Sequence, residues 1–105
     1  MNLMITCRNM EKTPSIEAVI AQKSKKFIRQ LGQNIKVHWT CQVSAGEHIS
    51  EIEITGFHGN PLFAKATSDD LYKTFDEAER KISKQAARIH DSHIHPHAKE
   101  PQYEE

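Results

Sequence analysis

Residues 35–43 alternate without a break: Ile35, Val37, Trp39, Cys41 and Val43 are apolar, and Lys36, His38, Thr40 and Gln42 between them are polar. Successive side chains of a strand point to opposite faces, so a period of two describes a strand buried on one face and wetted on the other. Two more strands follow by short connections. Ala45-Gly46 begins a turn, and Ile52 and Ile54 then alternate with Glu51, Glu53 and Thr55. His58-Gly59-Asn60-Pro61 marks a second turn, after which Leu62, Ala64 and Ala66 carry an inward face. Short connections favour an antiparallel arrangement of these three strands. Upstream, Leu3-Met4-Ile5-Thr6-Cys7 reads as a further strand.

Two helices complete the order. Thr13-Pro14 supplies a capping hydroxyl followed by proline at the first helical position, where its missing N–H costs nothing. Ile16, Val19, Ile20, Phe27 and Leu31 then recur on one stripe, Glu17 suits the positive end of the dipole, and Gly32 stops the helix. The spacing predicts a helix over 14–31. Ser68 is expected to cap the second helix, with Asp69 and Asp70 in its first turn and Leu71, Phe75, Ala78, Ile82, Ala86 and Ile89 as its apolar stripe. Beyond about His90 the chain is polar and carries Pro96 and Pro101, as a loose tail would. The expectation is an α+β domain of order β-α-β-β-β-α over 1–91, one four-stranded sheet with both helices on one face, followed by a tail over 92–105.

Length bounds the rest. A chain of 105 residues has room for one domain and no second core. No run approaches the roughly 18 apolar residues of a membrane span, and MNLMITCRNMEKT lacks the basic start and apolar block of a secretory signal. The expected address is the cytoplasm, where Cys7 and Cys41 would stay reduced as small core hydrophobes.

The formal net charge is zero, with 14 Lys and Arg against 14 Asp and Glu. Its distribution is more informative than its sum. The first helix holds Lys23, Lys25, Lys26 and Arg29 against one acid, all four in its second half. At about 100° per residue, Lys23 falls at the edge of the apolar stripe, Lys26 flanks it, and Lys25 and Arg29 point away. The second helix opens with Asp69, Asp70, Asp76, Glu77 and Glu79 and closes with Arg80, Lys81, Lys84 and Arg88. On the wheel Lys73, Arg80, Lys84 and Arg88 share the solvent side, with Lys81 beside them. Two readings compete. Acid first and base last suits the macrodipole of any helix, at about 0.3–1 kcal/mol per charge, and Glu77 with Lys81 is an ordinary i,i+4 pair. Alternatively, two helices on one face join their basic stripes into a surface for phosphate.

Particular residues extend the second reading. Ile5-Thr6, Met10-Glu11-x-Thr13-Pro14, Lys23 and Lys26 stand in order near the N-terminus. Ala64-x-Ala66-x-x-Asp69-Asp70-Leu71-Tyr72-x-x-Phe75-Asp76 continues to Lys81-Ile82-x-Lys84-Gln85 and Arg88. Over about residues 1–91 the chain resembles the short ribosome hibernation-promoting factors and the ribosome-associated translation inhibitor, relatives of the sigma-54 modulation proteins. That resemblance implies a layout like a double-stranded-RNA-binding domain. It also implies a cytoplasmic, stationary-phase stress factor that binds small-subunit rRNA in the channel where messenger and transfer RNA meet, and inhibits translation there. It carries Lys23, Lys26, Lys81, Lys84 and Arg88 over as rRNA contacts; Arg29 and Arg80 join them by the wheel alone. Lys84 stands where arginine is common, keeping the charge without the planar fork. Lys12 replaces an often apolar residue, and the tail matches neither branch of the family.

Other constellations are thinner. His90, His93, His95 and His97 are weak candidates for a transition metal, without the ligand pattern of an ordered structural site. Asp69, Asp70 and Asp76 with His48 or His58 could be imagined as acid–base pairs, but no glycine-rich phosphate loop or nucleophile motif accompanies them. No enzyme activity, cofactor or small-molecule substrate is expected. Trp39 and Tyr72 could stack on bases, although Trp39 lies on the apolar side of its strand. A general duplex-RNA module, or an accessory domain that binds a metal or a partner protein, are the alternatives.

Overall fold

The computed structural model describes the backbone of residues 1–94 and the side chains of residues 1–89. The elements run β1 (Asn2–Arg8), α1 (Pro14–Leu31), β2 (Lys36–Ser44), β3 (Glu47–Thr55), β4 (Leu62–Ser68) and α2 (Leu71–Ile94). The four strands lie in the order β1-β2-β3-β4, β1 parallel to β2 and the other neighbours antiparallel. A parallel pair needs a crossover rather than a tight turn, and α1 provides it.

Local chemistry sets the ends of α1. The Thr13 hydroxyl accepts the Ile16 N–H at 3.2 Å, Pro14 occupies the first turn, and Gly32 at φ +94° donates its N–H to the Ile28 carbonyl at 2.8 Å. Between β2 and β3 the turn has two residues, Ala45 at φ +50° and Gly46 at φ +80°, flanked by the Ser44–Glu47 pair. Two positive φ values in succession match the right-handed twist of a hairpin. Gly56 allows the β3–β4 connection to close on the α1–β2 turn, since a Cβ there would sit 2.8 Å from the Asn34 carbonyl oxygen.

The start of α2 departs from the sequence expectation. Ser68 still belongs to β4, paired with His48, and its hydroxyl accepts the Asp70 N–H at 3.2 Å. Asp70 is the cap: its carboxylate accepts the Tyr72 N–H at 3.0 Å and its carbonyl accepts the Thr74 N–H at 3.3 Å. The helix therefore begins at Leu71 and its first turn holds no acid. Its far end also differs. α2 continues to Ile94, past the expected stop near His90 and across the expected boundary at residue 91. No glycine or proline interrupts 90–94, and the residue before Pro96 is the first one disfavoured for helix. The rest of the expected tail, 95–105, lies outside the described residues.

Both helices cover one face of the sheet. Ile16, Ile20 and Phe27 from α1 and Leu71, Phe75, Ala78, Ile82 and Ala86 from α2 join Val37, Trp39, Cys41, Ile52, Ile54, Leu62, Ala64 and Ala66 in one core. Burying each large side chain contributes about 1.5–3 kcal/mol. Trp39 is fully buried, edge-on to Phe75 with ring centroids 5.6 Å apart. Its indole N–H donates to the buried Ser24 hydroxyl at 2.9 Å, so neither polar group is left unpaired. A second buried polar pair joins sheet to α2. The Thr74 hydroxyl donates to the Leu71 carbonyl, so the Ser50 hydroxyl is the donor in its 2.6 Å bond to Thr74. Burial first, and then the neighbouring Cys7, push the Cys41 thiol up to about 12. It is a core thiol with little thiolate at neutral pH.

The other face of the sheet is open. Cross-strand rows there read Met4, His38, Glu53, Phe63 and Thr6, Thr40, Glu51, Lys65. Glu51 opposite Lys65, and His38 opposite Glu53, place unlike charge or polarity side by side. This face mixes signs; the helices carry the excess of positive charge.

Candidate nucleic-acid interface

The strand directions dictate how the helices lie. α1 returns antiparallel to β1 and β2. α2 runs antiparallel to β4, because Lys81 meets the Lys65 carbonyl at 2.8 Å and Gln85 meets the Phe63 carbonyl at 3.0 Å. β2 and β4 share a direction, so the two helices are parallel neighbours. Their cross-contacts confirm it: Lys23 bonds Asp76, and the Gln30 amide donates to the Ser83 carbonyl at 3.2 Å, each 53 positions apart.

That offset places the basic residues. Lys26 and Arg29 on α1, and Arg80 and Lys84 on α2, fall within about five residues of common axial height, roughly 7.5 Å at 1.5 Å rise. All four are exposed, and among the described residues none of the four makes an ion pair. The structure thus brings these four predicted residues together on neighbouring helices. Of the four, Arg29 lies in the last turn of its helix, where the macrodipole favours a cation, and Arg80 and Lys84 sit near the middle of α2.

The other three predicted contacts sit differently. Lys23 lies lower on α1, with its side chain 20% exposed and its ammonium on the Asp76 carboxylate. Lys81 is half-buried, one of its three donors on the outer edge of β4. Arg88 is half-buried and stands level with residues beyond the end of α1. Lys81 and Gln85, one turn apart, match carbonyls two residues apart along β4, a spacing of about 6 Å against about 6.8 Å. Together they occupy an edge that would otherwise present bare acceptors. No signal in the linear pattern marks this role, nor that of Asp76, because the partners lie 16, 22 and 53 positions away.

The remaining candidates do not assemble. Asp70 caps α2, Asp76 holds Lys23, His48 is on the helix-facing side of β3, and His58 is exposed in the β3–β4 turn. Among the described residues no hydrogen bond or ion pair joins either histidine to these acids, and no group of three metal-binding side chains occurs. His95 and His97 lie outside the described residues, and His90 and His93 are described by backbone alone. Tyr72 is 43% exposed beside Phe75, whereas Trp39 is core. No helix among the described residues is long and apolar enough to cross a membrane.

Known proteins resemble the chain in sequence and in fold. Ribosome-associated factor Y of Haemophilus influenzae is 33% identical over 89 residues, covering 85% of this chain and 82% of that protein. The Thermus thermophilus protein Y N-terminal domain superposes with a TM-score of 0.79 at 21% identity, over 85% of this chain and 99% of that one. A ribosomal subunit interface protein from Coxiella burnetii gives 0.71 at 20% identity, over 85% and 97%. At such identities the two structures speak for the fold. The model of the sigma 54 modulation protein / S30EA ribosomal protein family matches residues 3–93, and the chain belongs to that family.

Proposed function

We propose that this protein binds the small ribosomal subunit through its rRNA, in the channel used by messenger and transfer RNA, and so holds translation off. The observation that carries the reading is the cluster of Lys26, Arg29, Arg80 and Lys84, exposed at one height on two parallel helices. A compact group of cations on a rigid scaffold suits a wall of phosphate, and membership of a family with a ribosome-associated relative supports rRNA as that wall. Binding is then electrostatic, and log K falls linearly with log salt in proportion to the phosphates neutralised. Because the domain occupies the channel, protein and translating ligands exclude one another.

The test is filter binding to vacant small subunits with rising initiator transfer RNA and messenger, paired with in-vitro translation. Loss of bound protein, and relief of inhibition as ligand rises, are expected. Protein and ligands bound together at saturation would refute occlusion. Equal displacement by unrelated duplex RNA would instead favour a general duplex-RNA module.

A further inference from the structure

We propose that Asp76 acts as an anionic stop on the basic surface: it holds Lys23 and confines phosphate to the cations further along the helices. The inference rests on the RNA-binding reading above and removes Lys23 from the set of phosphate ligands.

The two partners of the bridge differ in exposure. The Lys23 side chain is 20% exposed and that of Asp76 is 66% exposed. A phosphate approaching at this height therefore meets the carboxylate before the ammonium. To serve as a ligand, Lys23 would have to leave both its carboxylate and its cover. One turn further along α1, Lys26 is exposed and makes no ion pair among the described residues. The surface thus has a boundary, with the footprint beginning beyond the Lys23–Asp76 rung. Asp76 is a specificity-determining residue in this scheme, and Lys23 is the cation it occupies.

The experiment measures affinity for vacant small subunits against salt for the full chain and for Lys23→Met, Lys26→Met and Asp76→Asn, each checked for an unchanged circular dichroism spectrum. Lys23→Met should keep the wild-type slope. Lys26→Met should lower the slope by about 0.7–0.9, the loss of one phosphate contact. Asp76→Asn should raise it by about the same amount and tighten binding several-fold at low salt, because it frees Lys23 and removes a like charge. A drop in slope for Lys23→Met equal to that for Lys26→Met would overturn the proposal, as would Asp76→Asn binding no tighter and no more steeply. If the wild-type chain does not bind small subunits at all, the ribosomal reading fails. The same four proteins titrated against polyuridylate should then still show this order of slopes, and any other order overturns the boundary.

Discussion

Two stretches around α2, up to Glu79 and from Arg80 on, use their charged side chains for different ends. In the first stretch, Asp70 caps the helix start from just outside it and Asp76 ties the helix to α1. In the second stretch, Arg80 and Lys84 stand in water without an ion pair among the described residues, and Lys81 has a backbone partner across on β4. The lesson concerns net charge. A formal sum of zero is compatible with a local cationic cluster when acids such as Asp70 and Asp76 are engaged in holding the fold and bases such as Arg80 and Lys84 stand exposed.

Truncation within α2 gives the largest measure of this contrast. Phe75 is fully buried between Trp39 and Tyr72, so Phe75→Ala should cost about 3–5 kcal/mol, whereas Lys84→Ala should stay within about 0.5 kcal/mol. Urea denaturation of both variants checks it, and comparable losses would show that the second stretch is structural too. Next in size is the cap. Asp70→Ala should cost about 1 kcal/mol, while Ser68→Ala, one residue pair earlier in β4, should cost less. A larger loss for Ser68→Ala in thermal melts would return the cap to where sequence spacing alone puts it.

The smallest expected effect separates two lysines of the same stretch. Lys81→Met should lower stability by about 0.5–1 kcal/mol, since the Lys65 carbonyl loses its donor, and Lys84→Met should not. Chemical denaturation resolves the difference, and equal midpoints would mean that the edge bond contributes nothing. A comparison of thiols runs alongside it. Cys41, buried and pushed up to about 12, should react with a thiol reagent at neutral pH far more slowly than the half-exposed Cys7.

How much of this was legible follows from where the information lies. The alternation over 35–43, the Thr13-Pro14 cap and Gly32 are local signals, and β2 and both ends of α1 agree with them. The first half of β3 was not legible, because Ser50 is buried by a hydrogen bond to Thr74 rather than by apolarity, which breaks the alternation. Ser68 and Asp70 are both good capping residues, and only the length of the β3–β4 ladder decides between them. Lys23, Lys81 and Lys84 look alike on a helical wheel. Their different surroundings come from chain segments far away, so spacing could gather the cations but could not say which were already engaged.

The central claim is that Lys26 and Lys84, one from each helix, belong to a single phosphate-binding surface. Its most direct test is co-sedimentation of the Lys26→Glu/Lys84→Glu variant with small ribosomal subunits at low salt, with circular dichroism and a thermal melt to establish folding. The account predicts a folded variant that stays at the top of the gradient while the wild-type chain travels with the subunits. A folded variant that co-sediments as fully as the wild type would contradict it.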